Sequence, residues 1–171
     1  VTFWAAMHSD LLATASVASP SIEPNYLLFN TLREDAFFQE LRRSWGLGPP
    51  DETLERSRLF SPLHHLDRIS APILFQLPEQ EYLFSLGFSL PLVRRSQAEL
   101  YVFPNEPHQK FQPRHKLAVY ERNLDWFRFW LRDDEDPHPA KAEQYARWRG
   151  MRSTLAERAE ERAKPGGRNG R

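Results

Sequence analysis

Two short loops concentrate the side chains able to move protons. One reads Leu77-Pro78-Glu79-Gln80-Glu81-Tyr82, the other Pro104-Asn105-Glu106-Pro107-His108-Gln109-Lys110. Each follows a run rich in β formers, Ile73 to Leu77 and Glu99 to Phe103, that a proline stops. An acid after one parallel strand and a histidine after the next are the last two members of a Ser…Asp/Glu…His order. The chemistry needs both partners. A carboxylate fixes the imidazole tautomer and stabilises the imidazolium, while the imidazole takes a hydroxyl proton and returns it to a leaving group. His108, Glu81 and Glu79 are therefore the candidate catalytic residues.

The remaining polar clusters carry less. His8 and Asp10 flank Ser9, but neighbours at a helix end rarely converge, and a cap and turn is expected there. His64 and His65 are adjacent and diverge on most backbones, which argues against a metal site. His115 is expected to cap the helix that follows the second loop. Asp133 to Asp136 lacks the glycine and spacing of a calcium loop and reads as a solvated linker. Ser85, in Leu83-Phe84-Ser85-Leu86-Gly87, follows no strand and lacks the first glycine of a Gly-x-Ser-x-Gly elbow; the chain has no glycine before Gly46. No credible nucleophile is present.

Composition narrows the class further. The 171 residues include 23 Lys+Arg, 23 Asp+Glu and no cysteine. Disulfides, thiolate metal sites and a cysteine nucleophile are excluded. A formal net charge of zero gives no broad attraction to nucleic acid or an anionic membrane. No uncharged run approaches the roughly 18 apolar residues of a spanning helix.

These loops need a scaffold, and the order of elements supplies one. Residues 1–10 read as the end of a buried helix closing at His8-Ser9-Asp10. The chain opens without an initiator Met or a capping residue, so a fragment of a longer protein is expected. A buried strand is expected near Ala13–Ala18. Thr31 and Glu34 form a capping pattern ahead of a helix carrying Phe37, Phe38, Leu41 and Trp45, which Gly46 to Pro50 ends. A short helix with Asp51 as its cap comes next. The strand from Ile73 to Leu77 reads as central and parallel. A helix from about Glu81 to Val93 and the strand ending at Phe103 follow. From Lys116 to Leu131 apolar residues recur at spacings of three and four (Leu117, Tyr120, Leu124, Phe127, Leu131), and Trp126, Phe129 and Trp130 widen the stripe. That helix is expected to be mostly buried. Strands alternating with helices give an α/β fold, a parallel sheet flanked by helices, with chemistry at the carboxyl ends of the strands. The expected organisation is 1–131 as one catalytic portion, 132–139 as linker, 140–163 as a C-terminal helix on the domain edge, and 164–171 as a disordered tail.

Several blocks then resemble a known family. They are Thr2-Phe3-Trp4-Ala5-Ala6-Met7-His8-Ser9-Asp10-Leu11, Ala71-Pro72-Ile73-Leu74, Tyr101-Val102-Phe103-Pro104-Asn105-Glu106-Pro107-His108, Tyr120-Glu121-Arg122-Asn123-Leu124-Asp125-Trp126-Phe127-Arg128-Phe129-Trp130-Leu131, and the stretch from Asp136-Pro137 to Trp148. The chain is similar to the C-terminal portion of prolyl-oligopeptidase-like serine peptidases, an α/β-hydrolase fold, and within them to bacterial lasso-peptide isopeptidases. The resemblance implies His108 as base. Family spacing puts an Asp where this chain has Gln80. An amide cannot carry the charge that stabilises an imidazolium, so Glu81, then Glu79, is favoured, since a Glu reaches further than an Asp. It also implies that the elbow and oxyanion hole lie outside this chain. The implied function is serine-type hydrolysis of peptide or isopeptide bonds, with a peptide, specifically a lasso peptide, as substrate. The missing N-terminal part of the same protein is the implied partner, no metal or cofactor is needed, and a bacterial cytoplasm or periplasm would suit. The alternatives are a catalytically inactive remnant or interaction module, and a dipeptidyl peptidase or esterase of the same fold.

Overall fold

Three apolar runs lie side by side at the centre of the computed structural model, which describes residues 2–19, 22–30 and 35–164. They are β1 (Ala15–Val17), β2 (Ile73–Pro78) and β3 (Ala98–Phe103), all parallel, in the order β1-β2-β3. Ile73 is level with Ala15 on one side and Ala98 on the other. Every residue of β2 is buried, which its mostly apolar run, interrupted only by Gln76, anticipates. β1 is shorter than the expected Ala13–Ala18. Thr14 already leaves the ladder, its hydroxyl donating to the Pro72 carbonyl at 3.0 Å.

Alternation along β2 sorts the molecule into three layers. Ile73, Phe75 and Leu77 meet Phe3, Ala6 and Met7 of α1 (Thr2–His8) and Phe88 and Leu92 of α5 (Glu79–Arg94). Leu74 points the other way, into Trp126 and Phe129 of α6 (Pro113–Arg132) and Tyr145, Trp148 and Met151 of α7 (Ala142–Ala163). The crossover from β1 to β2 carries α2 (Pro24–Phe29), α3 (Asp35–Trp45) and α4 (Pro50–Phe60).

Local chemistry explains the boundaries. Ser9 Oγ accepts from the Leu11 amide at 3.1 Å, and His8 Nδ1 bonds the Trp4 carbonyl of its own helix, so this end is a cap and turn. Gly46 ends α3 at φ 68°, where its N–H reaches the Arg42 carbonyl. Asp51 does not cap α4. The helix opens on Pro50, Asp51 lies in its first turn, and Thr53 Oγ1 accepts from the Gly48 amide. The Thr31–Glu34 pattern, Pro20 and residues 165–171 lie outside the described residues.

α5 starts two residues earlier than expected and runs through Gly87 and Pro91. A proline inside a helix costs about 3 kcal/mol. Burying Phe88 and Leu92 completely returns roughly 1.5–3 kcal/mol each, enough to keep the helix whole.

α6 corrects the expectation of burial along its regular stripe. Leu117, Tyr120, Leu124 and Leu131 are each more than half exposed, and Phe127 is exposed too. The face turned inward carries Arg122, Asp125, Trp126 and Phe129. Its polar members answer buried groups one by one. Trp126 Nε1 donates to Thr14 Oγ1 at 2.7 Å. Asn123 Oδ1 accepts from Ser16 Oγ and from Gln76 Nε2 of β2. Arg122 donates to Gln76 Oε1 and lies 3.6 Å above the Tyr101 ring. Asp125 accepts from Lys141 and Gln144 of the following segment. Within the Tyr120–Leu131 block, Arg122 and Asn123 thus answer a polar residue, Gln76, in the middle of the sheet, Trp126 answers Thr14, and Asp125 answers the segment that follows.

α7 lies against this layer, with Tyr145, Trp148 and Met151 buried. The acids between the two helices each meet a cation: Asp133 with Arg152, Asp134 with Arg128, Glu135 with Arg149, Asp136 with Lys141.

Candidate active site at the carboxyl edge of the sheet

Pro78 and Phe103 are register partners at the ends of β2 and β3. Adjacent strands lie about 4.8 Å apart, so the two loops leave the sheet side by side. The first becomes the opening turn of α5, with Glu79 and Glu81 in it. Residues two apart on a helix point about 200° apart, so these two acids cannot serve the same partner. Glu81 faces His108: Nδ1 lies 2.7 Å from Glu81 Oε1. Glu79 turns to the other side, where its Oε2 accepts from the Asn105 amide at 2.6 Å. Gln80 meets the second loop through its backbone, its N–H donating to the Glu106 carbonyl at 3.4 Å.

The pair is asymmetric in exposure. The Glu81 side chain is 14% exposed, the His108 side chain 64%. With Nδ1–H donating to the carboxylate, the imidazole presents Nε2 as its free acceptor, on an edge open to solvent. Glu81 Oε2 is buried and has no hydrogen-bond partner. Lys110 interacts electrostatically with Glu81. Burial pushes its ammonium below the usual lysine range, and the Glu81 and Glu106 charges pull it back up.

One group here escaped the sequence reading. Glu106 is completely buried, and its carboxylate accepts from the Phe111 amide at 2.7 Å, the Gln112 amide at 3.1 Å and His115 Nδ1 at 2.7 Å. Burial alone would raise its pKa; the backbone bonds and His115 overcome that and hold the carboxyl below the ordinary glutamate value. The signal in the sequence was an acid two residues before the histidine with a second histidine nine residues after it. His115 lies in the first turn of α6, as expected of a capping residue, but its ring bonds this acid.

Ser85 is fully buried in α5, its Oγ without a partner. His64 and His65 sit in a 3₁₀ turn, and among the described residues no cluster of His, Asp and Glu is arranged to hold a metal ion. No described helix is long and apolar enough to cross a membrane. At the carboxyl end of β1 a cavity of about 760 Å³ opens, lined by Phe3, Trp4, Val17, Trp45, Arg56 and Phe60 among others; neither His108 nor Glu81 lines it.

No family model matches the chain. The lasso peptide isopeptidase AtxE2 of Asticcacaulis excentricus is 52% identical over 87 residues, which are 50% of this chain and 12% of that protein. Two solved structures share the fold. The AtxE2 isopeptidase in a serine-to-alanine variant with astexin3-dC4 bound superposes with a TM-score of 0.77 at 34% identity, covering 90% of this chain and 23% of that one. The AtxE2 isopeptidase in its apo form gives 0.73 at 33% identity with the same coverage. The chain therefore spans about a quarter of the solved isopeptidase chains. It is an α/β fold and a relative of a lasso peptide isopeptidase in both sequence and structure.

Proposed function

We propose that this chain supplies the general base and the orienting acid, His108 and Glu81, of a serine-type hydrolase that opens isopeptide bonds, with a lasso peptide as its substrate. The 2.7 Å contact between His108 Nδ1 and Glu81, with the opposite edge of the ring exposed, carries the reading. The isopeptidase relatives supply the substrate class.

The steps follow from the geometry. A serine hydroxyl, supplied from outside these residues, gives its proton to His108 Nε2 while its oxygen attacks the carbonyl that joins an Asp or Glu side chain to the peptide's N-terminal amine. Glu81 stabilises the imidazolium so formed. His108 then passes the proton to the departing amine, leaving an acyl-serine. Water attacks that ester with His108 again as base, and serine leaves with its proton restored. The product is the linear peptide with a free carboxylate and a free amine. Glu79 takes no proton in this scheme; it holds the Asn105 amide.

The test is reconstitution. The chain, joined to a segment that carries a Gly-x-Ser-x-Gly elbow from an isopeptidase relative, should convert a threaded lasso peptide to its linear form with the gain of one water, read by mass spectrometry. The 171 residues alone should not. Cleavage of linear peptides or simple esters, with the threaded ring left intact, would replace this reading by a dipeptidyl peptidase or esterase. No turnover of any of these by a folded joined protein would leave the interaction-module reading.

A further inference from the structure

We infer that Glu106 is a positioning residue for His108, acting through the loop and not through the reacting atoms; the inference rests on the reading of His108 and Glu81 given above. The loop leaves β3 at Pro104 and enters α6 at Pro113, and His108 stands near its middle. On its own an eight-residue span between Pro104 and Pro113 would let the imidazole wander by several ångströms.

Glu106 removes that freedom from both sides. Its side chain reaches across the loop to the Phe111 and Gln112 amides, closing a ring of backbone from which only residues 107–110 project. Its carbonyl accepts from the Gln80 amide, tying the ring to the turn that carries Glu81. The Gln112 side chain closes the ring a second time, donating to the Pro104 and Asn105 carbonyls. His115, packed 5.2 Å from Phe103, anchors the carboxylate to α6. One residue therefore ties the loop at the point where His108 must meet Glu81: its carboxylate to the loop's far end and to His115 of α6, its backbone carbonyl to the opening turn of α5. Lys110, over the Phe103 ring, is the remaining charged group facing it.

The test is made on the chain itself by NMR. In the native chain the His108 ring should show Nδ1 protonated, and the Phe111 and Gln112 amides should exchange slowly. Glu106→Gln should raise exchange at those two amides at least tenfold and shift the His108 ring toward the Nε2–H tautomer, while the Trp126 indole signal, bonded to Thr14 in the core, stays in place. Where Glu106→Gln unfolds the chain, Gln112→Ala should give a smaller shift of the same sign. Faster amide exchange with an unchanged His108 tautomer would overturn the proposal and leave Glu106 a loop tie only; so would an unchanged tautomer in Gln112→Ala where Glu106→Gln unfolds. A native His108 that already carries its proton on Nε2 would defeat the Glu81 reading first, and this proposal with it.

Discussion

A histidine on an exposed loop is useful as a base only if something else fixes its ring. Here a single carboxylate oxygen does so, and the neighbouring acid does not compete, because the helical turn sends Glu79 to the Asn105 amide. The two acids should therefore separate cleanly in experiment. Glu81→Ala should move the His108 ring toward the Nε2–H tautomer and leave the Asn105 amide protected. Glu79→Ala should leave the ring alone and expose the Asn105 amide to exchange, both read by NMR. Reach favoured Glu81 in the sequence, but the decisive fact was where the helix begins. Starting α5 at Glu79 and not Glu81 puts both acids in its first turn, which sends Glu81 to the His108 ring and Glu79 to the Asn105 amide of the same loop. Glu106 was illegible for a related reason. An acid in a Pro-flanked loop looks solvated, and only the folded path of residues 109–112 buries it.

The elements show how far periodicity can be trusted. α6 has two apolar faces, and the more regular one, from Leu117 to Leu131, faces out. Spacing identifies a face; it does not say which face finds the sheet. The irregular face wins because it carries the polar groups that Gln76 and Thr14 require, and a buried polar group left unpaired costs about 1–3 kcal/mol. Leu124→Glu should accordingly change stability by no more than about 0.5 kcal/mol, whereas Phe129→Ala should cost about 3–5 kcal/mol, both from urea unfolding. β2 was legible throughout, since a strand buried on both faces needs no alternation.

The joint between α6 and α7 also responds to acid. Lys141 and the His138 amide hold the Asp136 carboxyl below the ordinary aspartate value, and Lys141 in turn is raised, the bonds from Asp125 and Asp136 outweighing its burial. A carboxylate with a depressed folded pKa stabilises fully above its unfolded value, 3.8, and loses that contribution as pH falls through the folded value. Trp148 fluorescence should therefore report loosening of α7 below about pH 4, and Lys141→Met should weaken that dependence.

At the scale of the molecule, the layering explains both the site and the tail. Parallel strands point one set of ends at one edge, so a short acidic turn and a histidine loop meet without any element being built for them. On the far face of the sheet the core is shared across residues 132–139, with Trp126 and Phe129 on one side and Tyr145 and Trp148 on the other. Charge patterning could not show that the acids of the run from Asp133 to Asp136 find cations up to nineteen residues away. Ending the chain at Leu131 would uncover that core. With three large side chains contributing roughly 1.5–3 kcal/mol each, the loss approaches the whole stability of a small domain. The shortened chain should lose its cooperative thermal transition by circular dichroism.

The proposed roles of His108 as base and Glu81 as orienting acid should show in the rate of ring opening by the serine-bearing protein. Measured on a threaded lasso peptide, His108→Ala and Glu81→Gln should each lower the rate by on the order of 10³–10⁴, while Glu79→Gln should stay within about tenfold of the parent. A Glu79→Gln loss as large as that of His108→Ala, with Glu81→Gln fully active, would remove Glu81 from the catalytic pair.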